Sequence, residues 1–148
     1  MRLAFAFGAL ALLAATQAAA ADIAVKGAWI RTPPPGAPTA AGYATITNQA
    51  ISSDRLTGAF SGAAASVTLH QTSTSGGVMH MRPVTGGLAI GASASVSLAP
   101  NAYHLMLTGL KAPLKPGQHV RIVLQFQRAG NVAADFVVGN GPAGGMHM

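Results

Sequence analysis

Glycine and proline are spread along the whole chain, and this spacing limits the possible folds more than any other feature. The 148 residues include 18 Gly and 9 Pro, and no window after the N-terminal segment keeps a helical period over a useful length. The segments between them are short and alternating or β-branched, as in strands. These segments are 43–48, 66–70, 94–98, 103–110, 119–126 and 134–138. The pattern predicts an all-β domain, a β-sandwich or barrel with Greek-key connections, in which the proline-rich stretch 31–42 is an extended loop.

Residues 1–21 have the layout of a secretory signal peptide. Arg2 precedes a continuous apolar run, which ends in small residues that suit cleavage near Ala21. An uncleaved membrane anchor is the alternative, because the apolar run is fairly long. We expect cleavage, which leaves one domain over 22–138 and a flexible, glycine-rich tail over 139–148. The mature chain is then exported, most simply to a periplasm, without stable insertion in the membrane.

The composition disfavours several classes of function. No cysteine is present, so neither disulfides nor thiolate chemistry is available. Once Arg2 is removed, eight Lys and Arg remain against three Asp, a formal net charge of +5. These cations are scattered singly with almost no aromatic neighbours, so we expect no nucleic-acid partner. The charge predicts only weak steering toward acidic partners.

Methionine and histidine occur together in this chain. Apart from Met1, every methionine lies within two residues of a histidine: Met79 and Met81 beside His80, Met106 after His104, Met146 and Met148 beside His147. Methionine used only as core filler would have no reason to follow histidine. Imidazole and thioether together select Cu(I), because thioether is a soft, neutral ligand that Zn²⁺ and Mg²⁺ bind poorly. The hypothesis is one Cu(I) held by two His and two Met.

Strand geometry supports this hypothesis. Side chains alternate between the two faces of a strand, so Leu105 and Leu107 form the natural core face of 103–110. His104 and Met106 then lie side by side on the outer face or at the sandwich rim. Met79 and Met81 share a face in the same way, with His80 opposed to them. His70 is predicted at the end of its strand, before a turn-prone segment.

Ordinary structural roles compete with a metal site at each single residue. A strand-borne methionine is usually a core residue, and a lone histidine is more often not a ligand. His119 has no neighbouring methionine and is expected to be a surface residue. His80 points away from Met79 and Met81, so it is not expected to bind the ion. The joint pattern, rather than any one residue, favours copper.

The order of these residues resembles the ligand motif of the periplasmic copper chaperones called PCu(A)C. His70 is followed eleven positions later by Met81, and the His104-x-Met106 pair comes after it. Three longer segments are similar to the family as well. They are the Trp-x-Arg, proline-rich and Tyr-x-x-x-x-Asn segment (28–48), the Gly-Val-Met-x-Met-Arg segment (76–84), and the His-x-Met strand with its Gly-Leu turn and closing strand (104–126). The similarity extends over nearly all of the mature chain.

This resemblance implies a cupredoxin-like Greek-key β-sandwich with a solvent-accessible Cu(I) site at one edge. The implied ligands are His70, Met81, His104 and Met106, and Met79 is implied to pack beside the site without binding the ion. The implied role is a chaperone rather than an enzyme, which delivers copper toward the copper sites of cytochrome c oxidase. The partner is then the copper subunit of the oxidase or a thioredoxin-like assembly factor. We expect the protein to be a monomer.

The chain departs from the family pattern in two places. Relatives often carry glycines just before the His-x-Met strand, where this chain has Asn101, a residue that can adopt a positive φ and so keep the turn. Some relatives also have longer Met- and His-rich tails proposed to bind Cu(II). Here Met146, His147 and Met148 are a minimal version. The tail is expected to be either an accessory copper site that takes Cu(II) or an inert segment.

Three other functions lead to different expectations. A copper oxidoreductase is disfavoured, because blue copper needs Cys and a histidine brace needs an N-terminal His. A copper-buffering or resistance protein without a dedicated delivery target needs the same site, so the sequence does not separate it from a chaperone. An adhesive or structural β-sandwich would have no affinity for copper.

Overall fold

The computed structural model describes residues 22–142, which form ten β-strands and no helix. The strands are β1 (Ile23–Arg31), β2 (Thr39–Asn48), β3 (Asp54–Phe60), β4 (Ala64–Ser75), β5 (Val78–Pro83), β6 (Leu88–Ile90), β7 (Ser95–Leu98), β8 (Tyr103–Leu110), β9 (His119–Phe126) and β10 (Gly130–Gly139). The all-β prediction is therefore confirmed for this range. The described residues also include no helix long and apolar enough to cross a membrane.

Hydrogen bonding joins the strands in the order β5-β4-β8-β7-β2-β1-β10-β9-β3-β6, with further pairings of β4 to β3 and of β8 to β2. These pairings close a ring of β4, β8, β2, β1, β10, β9 and β3. Closing a sheet on itself leaves few unpaired edges. Strand β5 lies outside the ring and pairs only with β4 among the described strands. The Greek-key connections stay a prediction.

Alternating side chains of the strands fill the interior of this ring. The fully buried apolar residues come from strands on all sides: Ile30, Ile46, Leu56, Ile90, Leu105, Leu107, Ile122, Leu124, Phe136 and Val138. Burying each of these side chains stabilises the fold by about 1.5–3 kcal/mol relative to leaving it in water. Leu105 and Leu107 are 1% and 0% exposed, so the core face predicted for their strand is confirmed.

A buried carboxylate ties β3 to the turn after β9. Asp54 Oδ1 accepts hydrogen bonds from the backbone N–H groups of Arg55 (2.8 Å) and Arg128 (2.7 Å), and its Oδ2 accepts one from Ala129 (3.0 Å). The Arg128 guanidinium donates to Asp22, 3.2 Å away. This cluster holds together chain segments that are far apart in sequence.

The observed strands differ from the predicted ones in places that have local causes. Strands β1, β3, β5 and β6 are absent from the predicted segments; in β1 the alternation is broken by a register shift between Lys26 and Trp29, where Gly27 has a φ of 62°. The proline-rich loop was predicted too long, because β2 already begins at Thr39. The φ of Asn101 is 69°, as expected from the turn it occupies.

The largest difference concerns the segment after His70. A turn was expected there, but β4 continues to Ser75 and forms a hairpin with β5. Glycines at 76 and 77, with φ of 60° and 79°, make the tight connection that such a hairpin requires. His70 consequently lies within a strand rather than at its end.

Candidate metal centre

Two histidines lie opposite each other on β4 and β8. The antiparallel register pairs His70 with His104, and their imidazole rings stack with centroids 5.7 Å apart and planes inclined by 17°. Side chains at paired positions of neighbouring strands project from the same face of the sheet. The structure therefore brings together the two histidines that the sequence predicts as ligands, although they are 34 residues apart.

His104 is buried, although its side chain points away from the core leucines. It is 3% exposed, and the Tyr43 ring lies 6.3 Å from the imidazole between centroids. Burial and the nearby His70 charge lower the pKa of His104, and a hydrogen bond with the backbone of Ala102 only partly opposes this. His104 is therefore neutral at neutral pH, which is the form of imidazole that binds a metal.

The Nε2 atom of His104 is buried and has no hydrogen-bond partner within the described residues. Buried polar atoms in proteins are nearly always paired, so an unpaired one suggests a ligand or ion. In His70 the Nδ1 atom has a hydrogen-bond partner, because it lies 3.3 Å from the hydroxyl of Thr68. A hydrogen bond at Nδ1 fixes the ring and leaves Nε2 available to an ion.

The two predicted methionine ligands lie on the same face as the histidines. Met106 is paired with Thr68 on β4, and Met81 on β5 is paired with Thr72. Thr68, His70 and Thr72 are every second residue of β4, so their side chains project from one face. The four predicted ligands therefore lie on one surface. Met106 is half-buried, whereas Met81 is 57% exposed. The thioethers thus differ in access to solvent.

Met79 and His80 both lie on β5 but project from opposite faces of the strand. Met79 is paired with Thr74, one step further from His70 than Met81 on the same face. It is 59% exposed, and its role in packing beside the site stays a prediction. His80 is paired with Ser73 and projects from the opposite face, as expected from its spacing.

Two aromatic residues with no role predicted from the sequence, Trp29 and Tyr43, lie on the His104 side of the histidine pair. The Trp29 and Tyr43 rings are 4.9 Å apart between centroids, and the Arg31 guanidinium lies over Trp29 at 5.7 Å. Together with His104 and His70 they form a continuous row of rings. Their only sequence signal was the Trp-x-Arg and Tyr-containing segment, which does not reveal a contact with a histidine 61 residues further on.

His119 lies away from this surface, on β9. Its Nδ1 contacts Asp135 Oδ2 at 2.5 Å, and both side chains are 62% exposed. Exposure at this level agrees with a surface residue. Met146, His147 and Met148 of the proposed accessory site lie outside the described residues, as does the segment 1–21.

The donor set on the face of β4, β5 and β8 fits a soft, monovalent ion. Residues 22–142 contain no group of three or more His, Cys, Asp or Glu placed to hold a metal. Two imidazoles and two thioethers carry no charge, and they suit Cu(I) in preference to Zn²⁺. A neutral set also avoids burying an unpaired carboxylate beside the ion.

Solved structures that include PCuAC domains have the same fold as this chain. A copper-bound PCuAC domain from PmoF2 matches with a TM-score of 0.68 and 25% identity, covering 80% of this chain and 93% of that domain. The solution structure of CuI-DR1885 from Deinococcus radiodurans matches with a TM-score of 0.64 and 34% identity, covering 86% of each chain. The resemblance to PCu(A)C domains is therefore confirmed.

The family follows from the sequence. The family model described as "Putative lipoprotein LpqE-like" matches residues 23–138, and the chain belongs to this LpqE-like family. A protein named "Putative lipoprotein Lxx21020", from Leifsonia xyli subsp. xyli, is 36% identical over 104 residues, which is 70% of this chain. The match spans 61% of that relative's length.

Proposed function

We propose that this protein is a copper chaperone, which binds one Cu(I) ion through His70, Met81, His104 and Met106 and passes it to another copper protein. The ion is cargo, so the protein catalyses no reaction. Its task is to hold Cu(I) firmly enough to withhold it from other ligands, and loosely enough to release it to the right one. All four residues belong to one chain, so a monomer suffices.

The observation that carries this proposal is the stacked pair of His70 and His104, in which Nε2 of His104 is buried and has no hydrogen-bond partner within the described residues. Leaving a buried polar atom without a partner costs about 1–3 kcal/mol, and a bound ion would remove that cost. Two structural relatives, a PCuAC domain from PmoF2 and DR1885, have been solved in copper-bound and CuI-bound forms, which lends further support.

The division of the site into buried and exposed donors suits a carrier. His104 is enclosed by its neighbours, whereas Met81 stands on an edge strand with more than half of its surface in solvent. Exposed thioethers are weak and individually replaceable ligands, so an acceptor can displace them one at a time. The histidines hold the ion until that exchange is complete.

We place this activity in the periplasm, with the signal peptide 1–21 removed, and the domain 22–138 as the carrier. The expected destination is the copper centre of cytochrome c oxidase, reached through its copper subunit or a thioredoxin-like assembly factor. This destination rests on the resemblance to PCu(A)C chaperones. A copper-buffering protein would have the same site and no acceptor.

The binding test is an anaerobic titration of the mature protein with Cu(I), in competition with a chromophoric Cu(I) chelator. We expect one tightly held equivalent, which is lost in His104→Ala and kept in His119→Ala, a control histidine outside the site. If the chelator retains all the copper, the proposal fails. A second, weaker equivalent that disappears on removal of 143–148 would assign an accessory site to Met146, His147 and Met148; the same titration with Cu(II) would show whether that site takes it.

The delivery test mixes the Cu(I)-loaded protein with the soluble domain of an oxidase copper subunit, or with a thioredoxin-like assembly factor. Chaperone function predicts transfer faster than spontaneous release of the ion into chelator-containing buffer. Tight binding with no transfer beyond that release would instead favour the buffering function.

A further inference from the structure

The hairpin of β4 and β5 presents apolar side chains to water beside the candidate metal centre. Every residue of β5 is exposed, including Met79 at 59% and Met81 at 57%. The described residues contain only three other exposed large hydrophobic side chains: Ile51, Phe60 and Val78. Exposed apolar residues grouped at one place indicate contact with something other than water.

Met79 and Met81 have the same spatial relationship as the pair His104 and Met106. Each pair has one residue between its members on a strand, so both side chains project from one face about 6.5–7 Å apart at Cα. The register places Met81 beside Thr72, and Met79 one step outward beside Thr74. Met81 therefore has the two histidines on one side of it and Met79 on the other.

The chemistry of its thioether allows Met81 to bind an ion together with the histidines or together with Met79. Its side chain has three rotatable bonds and adapts its position readily. Thioether sulfur is a soft ligand for Cu(I), and its bonds to copper are individually weak. An ion held between Met79 and Met81 would lie outside the histidine pair and in contact with solvent.

We propose that Met79 and Met81 form an outer Cu(I) position, through which the ion enters and leaves the inner site. The inference rests on the proposed function, because it assumes that the inner site binds Cu(I). The step is a ligand exchange without redox change: a Met79 sulfur–copper bond forms as a bond to a histidine nitrogen or to Met106 breaks, and copper stays Cu(I). Met81 remains bound throughout.

The test compares the equilibrium and the rate of copper removal in Met79→Leu and the wild-type chain. Leucine keeps the size and apolar character of the side chain and removes the sulfur. Under anaerobic conditions, a chromophoric Cu(I) chelator reports both the affinity and the exchange rate. We expect the affinity to stay within about threefold, because Met79 is not an inner ligand, and exchange to slow about fivefold or more, because the tethered sulfur no longer assists.

A relocated thioether provides the matched control. Val78 is 56% exposed on the opposite face of β5, so the double variant Val78→Met with Met79→Leu restores a methionine at the wrong face. We expect it to exchange as slowly as Met79→Leu alone. Recovery of the wild-type rate would overturn the proposal, because position on the face would then be irrelevant.

Other outcomes separate this inference from the proposed function. An unchanged exchange rate in Met79→Leu, with the wild-type chain still binding one Cu(I), overturns the outer position alone. A loss of affinity of more than about tenfold shows that Met79 belongs to the inner site and also overturns it. No binding by the wild-type chain overturns the proposed function, and the inference with it.

A spectroscopic measurement tests the order of occupancy directly. With ¹³C-methyl methionine, the Met79 resonance is identified by its loss in Met79→Leu. We expect it to stay in place when one Cu(I) equivalent is bound, because the ion then rests in the inner site. A full shift with the first equivalent would contradict an outer position.

Discussion

His70 and His104 face each other from the adjacent strands β4 and β8, with nearly parallel rings 5.7 Å apart. Along the chain, strands β5, β6 and β7 lie between them. Their strands are held in register by a continuous ladder of hydrogen bonds, and Thr68 fixes the ring of His70. The histidines therefore form the preformed part of the site. The methionines, on longer and more exposed side chains, form the part that adjusts.

Replacing His104 by Ala should separate the binding role of this residue from its packing role. We expect Cu(I) affinity to fall by more than about 100-fold, since loss of a ligand exceeds the loss of an outer-shell partner. We also expect the free energy of unfolding to fall by about 1–3 kcal/mol, because the imidazole is buried between Tyr43 and His70. Chelator competition and urea denaturation measure the two effects. A variant that does not fold at all would make His104 primarily a core residue.

Replacing Met81 or Met106 by Leu should weaken binding while the fold is kept. Leucine is close to methionine in volume, so we expect unfolding free energies within about 1.5 kcal/mol of the wild-type value. Affinity for Cu(I) should fall about tenfold or more in each variant, because only a sulfur atom is removed. Wild-type affinity in either one would remove that methionine from the ligand set.

The sequence allowed part of this site to be predicted because part of it is local. The alternation of Leu105 and Leu107 with His104 and Met106 lies within one strand, and it places the core and the site on opposite faces. The approach of Met81 depends on the hairpin register that pairs it with Thr72. The part of β4 after His70, residues 71–75, is polar, so hydrophobic alternation gave no sign that the strand continues there, and a turn was expected in its place.

Long-range contacts were beyond prediction for the same physical reason. Asp22 and Arg128 are 106 residues apart and meet only because β1 pairs in parallel with β10, which brings the start of β1 to the end of the sheet where the turn between β9 and β10 lies. The burial of His104 likewise depends on Tyr43, from β2, which no local pattern connects with it. A position on the outer face or at the sandwich rim was predicted for the His104 imidazole, and the structure buries it.

The stability of the metal-free protein should decrease as the pH falls below neutrality, in part because of His104. Its pKa is lowered in the folded state from the ordinary value of 6.5 by burial and by His70. The unfolded chain therefore takes up the proton first, so stability is complete above about pH 6.5 and falls as the pH decreases through that value. Thermal unfolding of the metal-free wild type and His104→Gln between about pH 7.5 and pH 5 measures this contribution. The variant should lose less stability on acidification; an equal loss would show that other groups account for it.

The buried carboxylate of Asp54 should matter for stability and leave copper binding untouched. In Asp54→Asn one oxygen becomes an NH₂ group, which cannot accept the hydrogen bond that the N–H of Ala129 donates to Oδ2 or fully replace the charge that holds Arg128. We expect a loss of about 2–4 kcal/mol in the free energy of unfolding. Asp135→Asn is the matched control, because that carboxylate is 62% exposed and its contact with His119 is a surface pair that contributes at most about 1 kcal/mol. Asp54 lies on β3, and the candidate ligands lie on β4, β5 and β8, so both folded variants should bind Cu(I) with the wild-type affinity. A selective loss of copper affinity in Asp54→Asn, measured below its unfolding temperature, would show that the Asp54 carboxylate and the candidate metal centre are coupled.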